Sequence, residues 1–138
     1  MTEITLTYHG VVTAKKNSKS IVTNWRTGRP MIVSNHRAKK QESDMAWAFV
    51  EQATQGGWHR GDGHENSTFS VEIKVWNKDL RRRDLDNQAT AILDALVNAG
   101  IIPDDGVDYV PRLSVEYQGV DREDPRAQVK VKEIAWMV

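Results

Sequence analysis

The sequence predicts a mixed α+β fold: a single small domain over residues 1–138, with a mixed sheet and two main helices. Three observations predict it. Several short runs alternate apolar with polar residues, the period-2 signature of half-buried strands. Two longer segments carry helical spacing instead, and in the second Ala89, Ile92, Leu93, Leu96 and Val97 recur at i, i+3, i+4, i+7 and i+8. Neither a repeat nor a linker divides the chain, and 138 residues suffice for one core.

Taken in order, residues 3–8 read as a strand with Ile4, Leu6 and Tyr8 on one face. A polar, basic segment follows, Lys15-Lys16-Asn17-Ser18-Lys19. Two short strands, about 20–24 and 31–34, flank a turn punctuated by Gly28 and Pro30. Ser34 or Asn35 is placed to cap a helix that ends near Gln55. Its inward face is either Met45, Phe49 and Gln52 or Trp47 and Val50. The glycines of residues 56–64 predict a solvated loop, with His59 and His64 read as loop residues in preference to metal ligands. Residues 67–76 alternate around Phe69, Val71, Ile73 and Val75 and predict a strand. A helix over about 86–99 comes next, stopped by Gly100 in a left-handed cap. Two more strands, 109–117 and 127–136, flank a polar, turn-rich link. The order is β-β-β-α-β-α-β-β.

Composition narrows the function classes. Charged residues make up 28% and hydrophobic ones 39%, which is the balance of a folded globular chain and not of a disordered one. No apolar run approaches the roughly 18 residues of a membrane span, and the first residues have neither the basic nor the apolar region of a secretory signal. With no cysteine there is no disulfide, no thiolate zinc site and no cysteine nucleophile. The expectation is a cytoplasmic protein with no membrane partner. The formal net charge is zero but unevenly placed. Residues 1–40 hold eight cations and one anion, Glu3, a net of +7, so the remainder carries −7. Such asymmetry suggests a basic surface apart from an acidic site, the bland reading being a solvated loop with chance clustering; basic groups that neutralise phosphates are the usual source of affinity for nucleic acid. Lys15, Lys16 and Lys19 are the candidate contacts.

The acidic site centres on Arg81-Arg82-Arg83-Asp84-Leu85-Asp86-Asn87, with Pro103-Asp104-Asp105-Gly106 beyond the second helix. Carboxylates beside a cationic cluster are what a protein needs to hold Mg²⁺ near a phosphodiester. Each piece also has a bland reading: Asp84 and Asp86 as helix caps, the arginines as surface partners, Asp104-Asp105 as an Asx-type turn, Asp94 as an exposed helix residue. A DxD also opens the site of haloacid-dehalogenase-type phosphatases, but there it follows a buried strand directly, whereas residues 77–83 intervene here. The 104–108 segment does not match an EF-hand loop.

Together, Arg82-Arg83-Asp84-Leu85-Asp86-Asn87, Asp94-Ala95-Leu96, Ala99-Gly100 and Asp104-Asp105 resemble the RusA-type Holliday junction resolvases. The match is specific over about 78–110 and looser outside. The resemblance implies a RusA-like fold and a small homodimer, of a kind often encoded by prophages. It also implies Mg²⁺-dependent, paired, symmetric nicking of four-way DNA junctions in recombination and repair. By the same resemblance Asp84, Asp86 and Asp105 are the catalytic, metal-binding carboxylates. Arg81, Arg82 and Arg83 join the lysines as DNA contacts, and Asn87, Asp94 and Asp104 support the ligands. One position departs: the family pattern has a functional lysine four residues after the second aspartate, and this chain has Thr90.

Geometry leaves one question open. A thirteen-residue helix spans about 20 Å. Asp105 therefore reaches the Asp84–Asp86 pair only if the chain turns back along the helix, or if it comes from another subunit. Two further readings stand beside the nuclease: a junction-binding protein with reduced cleavage, motivated by Thr90, and a metal-dependent phosphohydrolase of small substrates.

Overall fold

The computed structural model describes residues 3–13, 19–34, 36–61 and 63–135. Lys15, Lys16, Asn35 and Trp136 lie outside the described residues. The elements are β1 (Glu3–His9), β2 (Lys19–Thr23), β3 (Pro30–Ser34), α1 (His36–Gln55), β4 (Thr68–Asn77), α2 (Leu85–Asn98), β5 (Arg112–Val120) and β6 (Arg126–Ile134). Their order is the predicted one, and the fold is α+β.

A four-stranded mixed sheet runs β1-β6-β4-β5, and β2 with β3 forms a separate antiparallel hairpin. β6 lies antiparallel to both β1 and β4. β4 and β5 are parallel, from Ser70 opposite Arg112 to Asn77 opposite Val120. A parallel pair needs a crossover, and α2 supplies it. Phe69, Val71, Ile73 and Val75 of β4 are buried with Ile4 and Leu6 of β1 and Ala127, Val129 and Val131 of β6. The period-2 pattern puts all of these on one face, which α1 and α2 cover.

On α1 the two candidate inward faces are resolved. Met45 and Phe49 are fully buried, together with Ala53 one turn further, while Trp47 stays 70% exposed. Gln52 lies on the inward side and uses its amide on the backbone: Thr7 N–H donates to Oε1 (2.7 Å) and Nε2 donates to Thr7 C=O (2.6 Å). On α2 the stripe Ala89, Ile92, Leu93 and Leu96 is buried, and Val97, its last residue, is half-buried against the core. Gly100 adopts φ 73°. Ile101 N–H bonds to Leu96 C=O and Gly100 N–H to Val97 C=O, closing the helix in a Schellman motif. A side chain at Gly100 would also press on the Gly61 backbone at 3.2 Å.

Two expectations need correction. Residues 56–64 are not a purely solvated loop. Trp58 and His64 are buried, their rings stack 5.4 Å apart, and His64 meets Phe69 edge-on. His64 extends the core, because its ring packs as an aromatic beside Trp58, whose Nε1 donates to Ile101 C=O. The strand expected at 109–117 begins instead at Arg112. Residues 107–109 form a turn in which Tyr109 and Val110 N–H both bond to Gly106 C=O. That turn absorbs the apolar residues that mimic the start of a strand. The strand instead continues to Val120, past an irregularity in its register with β4 near Val75 and Trp76.

Candidate active site

The site begins where β4 ends. Asn77 is buried at the carboxyl end of β4, and the chain must travel from there to the first turn of α2 through residues 78–84. Asp79 organises this connection. Its Oδ1 accepts from Arg81 N–H (3.1 Å) and from Arg83 Nη1 (2.8 Å), and Arg83 Nη1 also donates to Arg81 C=O (3.2 Å). The Arg83 side chain, only 11% exposed, is thereby folded into the loop as a strut. Its guanidinium, bonded to Asp79, holds that carboxyl below the usual carboxylate range. Arg81 and Arg82 are exposed, the Arg82 side chain by 93%.

Asp84 occupies the N-cap position of α2, with extended backbone (φ −91°, ψ 127°) and its C=O accepting from Gln88 N–H. The side chain makes no capping bond. Its Oδ1 lies 3.7 Å from Arg82 Nε, and its Oδ2 accepts from Asn87 Nδ2 at 3.4 Å. Asp86 is exposed in the first helical turn, with Oδ1 accepting from Asn87 N–H (2.9 Å). Capping does not account for the Asp84 carboxylate. The positive end of the α2 dipole offsets part of the charge the two acids bring together. Thr90 is exposed one turn along, and its hydroxyl donates to Asp86 C=O (2.9 Å). That position carries no cation.

Beneath the acids lies a buried polar pair. Gln88 is 1% exposed, and its Nε2 donates both to Val12 C=O (2.9 Å) and to Asn77 Oδ1 (3.0 Å). Its Oε1 is buried without a partner among the described residues. One side chain thus ties α2, the end of β4 and the segment that leads out of β1. Thr13, the next residue, is held by Gln41 of α1: Thr13 N–H donates to Gln41 Oε1 and Gln41 Nε2 to Thr13 C=O. Lys15 and Lys16 follow in sequence outside the described residues, and Lys19 opens β2.

Asp105 stands elsewhere. It lies between α2 and β5, and nearby Tyr109 C=O accepts from Phe69 N–H at the start of β4. Asp84 follows the other end of that strand. Burial, then the charges of Asp104 and Asp94, push the Asp105 carboxyl up. Asp104 Oδ1 accepts from Asp105 N–H. The structure therefore gathers Asp84, Asp86 and Asn87 at one end of α2 and Asp94, Asp104 and Asp105 toward the other. Among the described residues no three metal-ligating side chains stand close enough to hold an ion. Mg²⁺ does not need three, since it commonly binds through one or two carboxylates, waters and substrate phosphates. The exposed Asp84–Asp86 pair fits that chemistry.

Sequence reasoning missed Asp79, Arg83 as a strut, and Gln88. Gln88 had a legible signal, being a polar residue inside the apolar stripe of α2. Asp79 had a weaker one, an Asx residue two before an N–H it can bond.

The site is thus an exposed carboxylate pair that follows β4 at the N-terminus of α2, beside two exposed arginines, in a small α+β fold. The family described as endodeoxyribonuclease RusA matches residues 10–132. That match covers most of the chain, and the protein belongs to the RusA family of endodeoxyribonucleases, which act on DNA junctions. No curated protein matches the chain. No helix among the described residues is long and apolar enough to cross a membrane.

Proposed function

We propose that this protein is a Mg²⁺-dependent junction resolvase that acts in the cytoplasm as a homodimer, placing paired symmetric nicks in four-way DNA during recombination and repair. The observation that carries the reading is the Asp84–Asp86 pair, exposed at the N-terminus of α2, with the Asp84 side chain making no capping bond. Asp84 and Asp86 hold the metal, and Asp105 completes the carboxylate set. Bound there, Mg²⁺ supplies a Lewis acid and an acidified water. The chain's own residues do the rest. Arg81 and Arg82 reach outward to backbone phosphates, while Arg83 and Asp79 keep the loop that presents them in one shape. Asn87 steadies the Asp84 carboxylate through Nδ2. Lys15, Lys16 and Lys19 extend the phosphate-contacting surface. Asp94 and Asp104 surround Asp105 with negative charge.

The test is direct. A labelled four-way junction and a matched duplex are incubated with the protein, in Mg²⁺ and in EDTA. Symmetric nicks in the junction alone, only with Mg²⁺, are expected. Equal cutting of duplex, or cutting in EDTA, refutes the reading. A second reading, junction binding with slow cleavage, is favoured by one observation: the Thr90 hydroxyl is tied to the helix backbone, so it supplies neither charge nor a free donor beside Asp86.

A further inference from the structure

Trp25 is 84% exposed at the tip of the β2–β3 hairpin, which forms a sheet of its own. Nothing in the closure of the turn needs a tryptophan there. Asn24 N–H donates to Arg29 C=O (2.8 Å), and Gly28 N–H donates to Asn24 C=O (2.7 Å). Asn24 Oδ1 accepts from Arg26 N–H (3.0 Å), and Thr27 Oγ1 accepts from Arg29 N–H (3.3 Å). Gly28 takes the left-handed conformation, φ 70°, that lets the loop close. Backbone groups and short polar side chains thus hold the turn, and the indole takes no part.

A single exposed apolar residue ordinarily carries no message. This one has charged company. The Arg26 guanidinium lies 5.1 Å from the centre of the Trp25 ring, a cation–π contact on one face. Arg29 is exposed in the same turn, and no acidic residue stands between Glu3 and Glu42. The hairpin is also rooted at the acid pair. Gln88, one turn into the helix that Asp84 begins, donates to Val12 C=O. Lys19 opens β2 seven residues after Val12, within about 25 Å of it. Five-residue strands then carry the tip about 17 Å beyond that root.

We propose that the β2–β3 hairpin is a base-stacking arm, in which Trp25 lays its open face on a nucleobase at a point where DNA strands part. The inference rests on the junction-nuclease reading and names a residue that tells a junction from a duplex. Inside a duplex every base has a neighbour on both faces, so the indole finds nothing to cover. Unpaired DNA and an opened branch point leave a base face bare. Aromatic side chains stack on such faces whatever the base, since each has a π-face. Arg26, behind the ring, completes a layer of guanidinium, indole and base, and Arg26 and Arg29 bring positive charge to the flanking phosphates. Charge chooses nucleic acid over a protein as the occupant: the side chains exposed around the ring include two arginines and no carboxylate. The turn is already closed by its own bonds, so little order is lost on binding.

Binding in EDTA tests the arm without cleavage. The probes are oligothymidylate, a four-way junction and a duplex of equal length. They are titrated against wild type, Trp25→Ala, Trp25→Phe and Trp47→Ala, the last a control 70% exposed on α1. Trp25→Ala should weaken binding to oligothymidylate and to the junction by about tenfold or more, and to duplex by less than about twofold. Trp25→Phe keeps a ring and should keep most of the affinity. Trp47→Ala should change none of the three. Stacking also quenches indole emission. Oligothymidylate should quench part of the wild-type tryptophan fluorescence, and that part should vanish in Trp25→Phe and survive in Trp47→Phe. Unchanged affinities in Trp25→Ala overturn the arm and give Trp25 to a protein partner instead. An equal loss on all three DNAs, or quenching that survives in Trp25→Phe, overturns it too. If wild type fails to nick junctions in Mg²⁺ while the Trp25 results hold, the nuclease reading falls and the arm stands. If wild type nicks and Trp25→Ala binds every probe as tightly, the arm alone falls.

Discussion

Gln88→Ala should destabilise the protein by about 2–4 kcal/mol and slow junction cleavage more than it weakens junction binding. The magnitude comes from two hydrogen bonds in a buried setting. Gln88 Nε2 donates to Val12 C=O and to Asn77 Oδ1 at 2.9 and 3.0 Å, and Val12 and Asn77 are only 1% and 7% exposed. Removing the donor leaves two buried acceptors, and each orphaned group costs roughly 1–3 kcal/mol. Removing Oε1, itself unpartnered, returns part of that. The space left behind adds a cavity term. The assay is urea unfolding of wild type, Gln88→Ala, Asn77→Ala and the double variant. Because the two side chains share a bond, the double-mutant cycle should show coupling above about 0.5 kcal/mol. Gln88→Leu fills the volume without the donor and should fall between wild type and alanine. A loss below about 0.5 kcal/mol for Gln88→Ala, or strict additivity with Asn77→Ala, refutes the idea that this amide locks α2 to the end of β4.

Asp84→Asn, Asp86→Asn and Asp105→Asn should each abolish cleavage and leave junction affinity near wild type, because the change removes charge but not shape; cleavage at wild-type rates in any of them removes that residue from the metal site. Thr90→Lys should raise the cleavage rate at saturating junction by about tenfold, which needs only about 1.4 kcal/mol of transition-state stabilisation. Thr90 is exposed on the same face as Asp86, one turn away, and an unchanged rate in a folded variant would mean Lys78 or the arginines already supply the charge. Replacing Lys15, Lys16 and Lys19 with alanine should weaken binding to all junction sequences alike and flatten the salt slope by about one unit per lost contact; an unchanged slope returns that segment to a solvated loop. The Asp79 carboxyl is held low by its bond to Arg83, so the stability it contributes is present above the unfolded carboxylate pKa and is lost as pH falls through the lower folded value. Acid unfolding followed below about pH 4 should therefore be shallower in Asp79→Asn than in wild type, and identical acid limbs would discount the Asp79–Arg83 strut.

Most of the fold was legible because local patterns and burial agree. The β4 alternation and the α2 stripe name residues that are buried, save Val97, which is half-buried, and Gly100 sits where its positive φ is required. What failed, failed for physical reasons. Tyr109 and Val110 have strand-like side chains, but their N–H groups are taken by Gly106 C=O in a turn, a competition that propensity does not register. His64 reads as polar in a glycine-rich loop and is buried because its ring stacks on Trp58. That contact depends on the core that Phe69 helps build. Gln52 and Gln88 were visible only as polar residues at inward positions. Each has a backbone partner far along the chain, 45 residues away for Gln52 and 76 for Gln88, and no local window contains it.

The acid residues divide along the same line. Asp84 and Asp86 are two apart, and their joint placement follows from the helix start alone. The place of Asp105 depends instead on the direction of the crossover. Since β5 runs parallel to β4, whatever follows α2 must return to the end of the sheet from which β4 set out. The bond from Phe69 N–H to Tyr109 C=O marks that return. Had β5 been antiparallel to β4, a short link would have left Asp105 beside Asp84 within one chain. A parallel crossover forbids this, so a spacing that unites three acids in sequence separates them in the monomer.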